Sequence, residues 1–241
     1  MEQEPGGVAN PYAAPRGDHP EVEAPRAVQG APGYQDQTTT LRVLYGSLAL
    51  QMLAYGINGA ACVGLMATEL ELGSQDALVE LTDKVATASR VVYLAGLIPF
   101  GAFLVRANKN ARAFLQADTD TPLAVSAFSP ASMVWWFAVP ILSLVRPYQA
   151  VHSVWESSAP LTGDVAPTRE GVLRLWWGAW LVDTLTNRIG AIVLKGDTDW
   201  VMQNGWVVIS GVLGITSCLG ALGMLRALHR RQQERAAELW S

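Results

Sequence analysis

The sequence predicts an all-α membrane protein, a small helical bundle with one Pro-broken segment that is re-entrant or interfacial. Of its 241 residues 50% are hydrophobic and only 16% charged, whereas average soluble domains carry about a quarter charged residues. Three stretches, 43–67, 91–105 and 207–225, almost lack charge. A further apolar segment, 129–155, contains Pro140, which removes a backbone donor and breaks a helix.

Residues 1–40 are predicted to form a disordered, acidic tail rich in proline and glycine. Nearly half of the 13 prolines lie there, and a segment with so few apolar residues cannot offset the entropy lost on ordering. Two interpretations stay open: a docking tail that presents a polyproline surface, or a solvated leader without a partner. Because no apolar core precedes Leu41, we expect no secretory signal peptide.

The first span is predicted at about 41–66, at the start of a transmembrane helical domain that covers 41–231. Gly56, Ala60 and Gly64 recur at every fourth position, so on a helix they form one smooth face. Such a face lets another helix approach closely in a membrane. We therefore expect these three residues to pack against a helix.

The second span is predicted at about 91–105. An acidic segment, 69–90, precedes it and is predicted to be a polar loop. A basic segment, 106–112, follows it at once. Basic residues concentrate on the cytoplasmic side of membrane proteins, so this exit is expected to face the cytoplasm.

The broken segment 129–155 is unlike a normal span. The part of it that contains no charged residue, 131–145, would extend about 22 Å as a straight helix, against roughly 30 Å of hydrocarbon. Pro140 lies in its middle. Beyond it, Tyr148 and Trp155 fall on one helical face, the pattern of a short interfacial helix. We therefore predict that this segment dips into the membrane and returns.

The next span is predicted at about 172–194 and is unusually polar at its centre. Asp183 and Asn187 are four residues apart and share a helical face, while Arg188 points roughly 140° away from Asp183. Ionisable groups inside a membrane are costly. Two interpretations stay open: a proton, ion or substrate pathway, or a polar network that holds the bundle together.

The last span is predicted at about 205–225. Gly211 and Gly214 lie on it three residues apart, which indicates close helix packing without establishing a dimer motif. The chain is predicted to end in a basic, helical tail, with its tail end at 232–241.

The 17 Lys and Arg residues distinguish two topologies. If 129–155 does not cross, four helices span the membrane and most basic residues share one side. If it crosses, five helices span and the basic residues divide almost evenly. We therefore predict four spans, with both termini cytoplasmic, in a multi-pass protein of the cell membrane.

Several function classes lack support. The net charge of −4 argues against nucleic-acid binding. His19, His152 and His229 are not spaced to share a metal, and no phosphate loop or nucleophile motif occurs. Cys62 and Cys218 lie in separate apolar spans and form no Cys-x-x-Cys motif. We expect no enzyme, cofactor or metal.

The aromatic and proline residues of the broken segment resemble a bacterial membrane-protein family, domain of unknown function 4328. The residues that carry the resemblance are Ser129, Pro130, Trp135, Trp136, Phe137, Pro140, Ile141, Leu144, Arg146, Pro147, Tyr148 and Trp155, with Trp176, Trp177 and Trp180 further on. The pair Asn187–Arg188 is loosely similar to a polar run of that family. The resemblance covers about 41–231 and implies a bacterial, multi-pass membrane protein, with no known activity.

The sequence leaves two function classes. The first is a non-enzymatic scaffold or regulatory membrane component that acts through the lipid bilayer, a homo-oligomer or a membrane-protein partner. The second is a channel or transporter subunit that uses the polar run around Asp183, because broken backbone at membrane depth is tolerated only against protein or a water-filled cavity. Neither a substrate nor an oligomeric state follows from the sequence.

Overall fold

The computed structural model describes residues 33–69, 76–118, 128–139, 141–160, 170–194 and 200–240. Within these ranges every regular element is helical, which confirms the all-α fold. In chain order the elements are α1 (Thr38–Glu69), α2 (Asp76–Ala117), α3 (Ser132–Trp135), a 3₁₀ turn (Leu142–Leu144), α4 (Arg146–Ser157), α5 (Glu170–Val193) and α6 (Trp200–Trp240). The predicted tail up to residue 32 and Pro140 lie outside the described residues.

One core joins the helices. The helix α1 packs along α2 and α6, α5 packs along α6, and α2 also contacts α3 and α4. Five of the helices each contribute a buried apolar side chain to the same cluster, namely Leu44, Phe103, Val151, Trp176 and Met224. Burial of such side chains stabilises the fold by about 1.5–3 kcal/mol each before entropy is counted.

Three described helices, α1, α2 and α6, are long and apolar enough to cross a membrane. Their outer faces carry exposed apolar side chains such as Ile98 and Val212, at 76% and 61% exposure. These features support a membrane location. The helix α5 is not among the three, since Asp183 and Arg188 interrupt its apolar sequence. The count of four spans and the cytoplasmic termini stay predictions.

The helix α2 begins earlier than the sequence predicted. Residues 76–90 were expected in a polar loop, but they form the first turns of a 42-residue helix. Glu80 and Lys84 form an i,i+4 ion pair at 2.7 Å there, a spacing that supports a helix in water. Hydropathy marks where a helix is apolar enough for lipid. It does not mark where the helix ends.

The chain end is helical, as predicted. Residues 232–240 form the last turns of α6 and are partly buried. Arg235 Nη2 lies 2.7 Å from Asp118 Oδ2, and both side chains are 8% exposed. Ala236 is fully buried. An acidic partner therefore lets these basic turns pack against the protein.

The packed ends of the helices form a region that we call the head, composed of residues 33–45, 103–118, 146–158 and 224–240. Its α4 was expected to lie in the membrane interface. Val151 and Val154 on its apolar face are fully buried, and the helix packs against α2, so its position in a membrane interface stays a prediction. An amphipathic pattern suits either lipid or protein, so the sequence alone could not decide.

Candidate functional site

A cavity of about 340 Å³ lies among α1, α2, α5 and α6, next to the residues that follow α3. Its walls are mostly apolar and include the rings of Phe100, Phe137, Trp176 and Trp180, besides two tyrosines. The polar side chains in the lining are Ser47, Gln51, Tyr55, Tyr93, Asp183 and Ser217. The predicted polar span and the predicted broken segment therefore contribute to one cavity.

The aromatic wall connects residues that are far apart in sequence. Phe137 meets Phe100 and Trp180 edge-on, at centroid distances of 5.9 and 5.8 Å. Trp180 stacks on Trp177 at 4.8 Å, and Trp177 contacts Tyr148 at 6.1 Å. Such aromatic pairs add about 0.5–1.5 kcal/mol each beyond area burial. Two aromatic motifs of the sequence thus form one packed wall.

Asp183 is the acidic residue of the cavity. Asn187 Nδ2 donates hydrogen bonds to its Oδ1 at 2.8 Å and to its backbone oxygen at 2.9 Å. These bonds orient the carboxylate on α5. Arg188 is exposed and forms no ion pair with Asp183. The lining that the structure describes contains no Lys, Arg or His.

The glycines of α6 lie where this helix approaches α1. A Cβ added to Gly214 would lie 2.5 Å from the ring of Tyr55, and one added to Gly211 would lie 3.5 Å from the Tyr55 backbone oxygen. A side chain at Gly214 would therefore require the Tyr55 ring to move, whereas a Cβ at Gly211 would make an ordinary van der Waals contact. Both glycines take part in packing within the chain.

The small-residue face of α1 has a different environment. A Cβ added to Gly56 or Gly64 would meet no described atom within 4 Å. Ala60, between them, is exposed. Leu53 and Val63 flank the face and are 58% and 51% exposed. The expected packing partner of this face is not in the described part of the chain.

The first half of the family motif lies at the edge of the cavity. Pro130 stands in the turn that precedes α3. Trp135 is 69% exposed, whereas the indole N–H of Trp136 is buried without a partner in the described residues. The Arg146 guanidinium lies 5.6 Å from the Trp136 ring centre. Pro140 belongs to the same motif but lies outside the described residues.

The second half of the motif builds α4. Pro147 occupies the first turn of this helix, where a missing N–H has no cost. Tyr148 contacts the aromatic wall through Trp177. Trp155 is buried, and the Arg231 guanidinium lies 4.9 Å from its ring centre. The motif therefore attaches α4 to α5 and α6.

A hydrogen-bond network centred on Gln232 joins the head. Its Nε2 donates to Ala107 O at 2.8 Å and to Ser158 Oγ at 3.0 Å. Its Oε1 accepts from Gln37 Nε2 at 2.8 Å and from Asn110 Nδ2 at 3.3 Å. All five residues are fully buried. Sequence reasoning missed the network, and uncharged amides among the basic residues of 106–112 were its only local sign.

The residues before α1 are held against the head. Asn110 pairs with the backbone of Gln35, accepting its N–H at 2.8 Å and donating to its oxygen at 3.0 Å. Tyr34 stacks on Phe114 and contacts Trp240. This burial, with a smaller contribution from the Asp36 charge, raises the pKa of Tyr34 to about 12. The tail therefore enters the fold at a fixed position.

The fold and site define a class of protein. An all-α chain with three membrane-competent helices, a cavity between its helices and a packed polar head has the features of a helical membrane protein. No group of three or more His, Cys, Asp or Glu in the described ranges is placed to bind a metal.

The family model described as Domain of unknown function (DUF4328) matches residues 65–233. This match covers more than two thirds of the chain, so the chain belongs to this family, as its motif residues predicted. Comparison with curated proteins and with solved structures finds no match.

Proposed function

We propose that this protein is a non-enzymatic scaffold or regulatory component of the cell membrane, which acts through association with a second copy of itself. The open face of Gly56, Ala60 and Gly64 on α1 carries this proposal. Small residues at four-residue spacing allow backbones to approach, so van der Waals contacts and lipid release favour association. The exposed apolar flanks of this face suit a helix from a second copy.

The head supports the same proposal. The polar side chains around Gln232 bond to one another, so the head presents a fixed arrangement of helix ends. A fixed head on membrane helices suits a protein that holds or positions a partner. The proposed role involves no catalysis.

Substitution of Gly56 by leucine tests the association. The packing of the monomer is expected to persist, because a Cβ at this position meets no described atom within 4 Å, but the leucine side chain prevents close approach of another helix. We expect at least a tenfold loss of dimer, measured by resonance energy transfer between labelled copies in lipid bilayers at fixed protein-to-lipid ratios.

The matched control is Gly178→Leu on α5, where a Cβ also meets no described atom within 4 Å but which belongs to no small-residue repeat. This variant should associate like the unchanged protein. Equal transfer in the unchanged protein and the Gly56 variant, or a monomer at every ratio, would contradict the proposal.

A channel or transporter subunit is the second candidate. The cavity beside Asp183 favours it, because Val134, Phe137 and Ala138 of the broken segment line the same space as this carboxylate. The test is ion and proton flux into proteoliposomes under a membrane potential. Flux that disappears in Asp183→Asn would support transport. If correctly folded protein gives the same flux as liposomes without protein, transport is excluded and the scaffold role remains.

A further inference from the structure

We propose that the cavity binds a lipophilic organic cation, an apolar and preferably aromatic body that carries one amine protonated at neutral pH. This inference goes beyond the scaffold role and does not depend on it. Association through α1 uses an outer helix face, whereas the cavity lies between helices, so each proposal can fail alone.

The dimensions and walls of the cavity fit the apolar body. Its volume of about 340 Å³ lies at the lower end of the roughly 300–1,000 Å³ typical of small-molecule sites. Phe100, Trp176 and Trp180 offer aromatic surface. The faces of such rings attract cations as well as apolar groups, most strongly where water is excluded. The walls therefore favour a ligand that combines both properties.

The charge of the lining favours a positively charged ligand. Asp183 is its acidic residue, and the described lining offers no basic side chain to neutralise it. Asn187 already donates to Oδ1 of Asp183, so the orientation of the carboxylate is fixed before a ligand arrives. A carboxylate among apolar walls favours a positive partner more strongly than one in water does.

A second acceptor belongs to the same lining. Gln51 is 4% exposed, and its Oε1 accepts no hydrogen bond from the described residues. A buried carbonyl oxygen without a donor is destabilising. A protonated amine supplies N–H donors, which a quaternary ammonium lacks. The lining therefore indicates an amine with at least one N–H group.

The probe is N,N-dimethylbenzylammonium, added to the full chain in lipid nanodiscs at pH 7. Binding is followed by tryptophan fluorescence, since Trp176 and Trp180 lie in the wall. The comparison ligand is isobutylbenzene, which has a similar shape and no charge. We expect saturable binding of the cation at least tenfold tighter than that of the neutral compound.

Three variants locate the site. Asp183→Asn should weaken cation binding at least tenfold, and Asp183→Glu should restore part of it. Gly96→Leu should abolish binding of both compounds, because the leucine side chain fills the cavity. The fold should tolerate the substitution, since a Cβ there meets Ser47 at an ordinary 3.7 Å. Glu156→Gln removes an exposed carboxylate from α4, outside the lining, and should change nothing.

Equal affinities for the cation and isobutylbenzene, or unchanged cation binding in Asp183→Asn, would overturn the proposal and indicate a cavity that holds lipid chains. Thermal unfolding of each variant accompanies the titrations. If Asp183→Asn unfolds, Gly96→Leu and the neutral compound still decide the question, because binding that persists in the filled variant excludes the cavity as the site.

Discussion

Replacing Gln232 with leucine is expected to lower the free energy of unfolding by about 3 kcal/mol, because four buried hydrogen bonds are lost together. Leucine has a similar volume, so the loss comes from polar groups and not from a void. Gln37 loses the most. Its Nε2 donates to Gln232, and its Oε1 is already buried without a partner in the described chain.

Thermal unfolding of the purified protein in detergent, followed by near-ultraviolet circular dichroism, measures this effect. The matched control is Gln149→Leu on α4, an exposed position whose side chain makes one long contact, at 3.5 Å, with Arg146. The control should melt within about one degree of the unchanged protein. If both variants melt alike, the Gln232 network does not stabilise the head.

Replacing Gly220 with valine is expected to cost about 1–3 kcal/mol through overpacking. A Cβ at this position would lie 3.0 Å from Cα of Trp176 and 3.5 Å from its Cβ. Backbone atoms cannot rotate away as a side chain can, so α5 must move away from α6. The displacement would also disturb the aromatic wall, because Trp176 contacts Phe100.

Gly205→Val is the matched control, since it lies on the same helix and a Cβ there meets no described atom within 4 Å. Unfolding temperature and the tryptophan emission maximum are measured for both variants. We expect a lower temperature and a shifted emission only for Gly220→Val. Identical behaviour would show that α5 and α6 are not packed as closely as the structure has them.

The sequence predicted those parts of the fold that leave a continuous local signal. Long charge-poor stretches marked α1, α2 and α6, and glycine spacing marked the surface that Gly211 and Gly214 present to Tyr55. Proline spacing marked the interrupted segment, whose longest described helix has 12 residues, too short to cross a bilayer.

The polar contacts of the head could not be predicted from a continuous stretch of sequence. Gln232 and Asn110 are 122 residues apart, and neither has a neighbour whose type reveals the pairing. The basic end of α6 gave no sign that Arg235 is buried against Asp118, 117 residues away. The pairing of single polar residues across the fold is decided by tertiary packing, which composition and periodicity do not encode.

Only the local part of the site could be predicted from the sequence. The i,i+4 spacing of Asp183 and Asn187 follows from helix geometry and is visible in the sequence. The cavity is not, because it is the space that side chains from four helices leave unfilled. Its aromatic wall combines Phe137 and Trp180 from two motifs, and only the fold shows that these motifs meet.

The length of α6 has a mechanical consequence. Its 41 residues extend about 60 Å, roughly twice the thickness of the hydrocarbon layer. The same rod lines the cavity through Gly214 and Cys218 and carries Gln232 in the head. A twist or tilt imposed on one half of a continuous rod is delivered to the other half. Any tilt of α6 at the cavity would therefore also displace the hydrogen-bonded end of the helix.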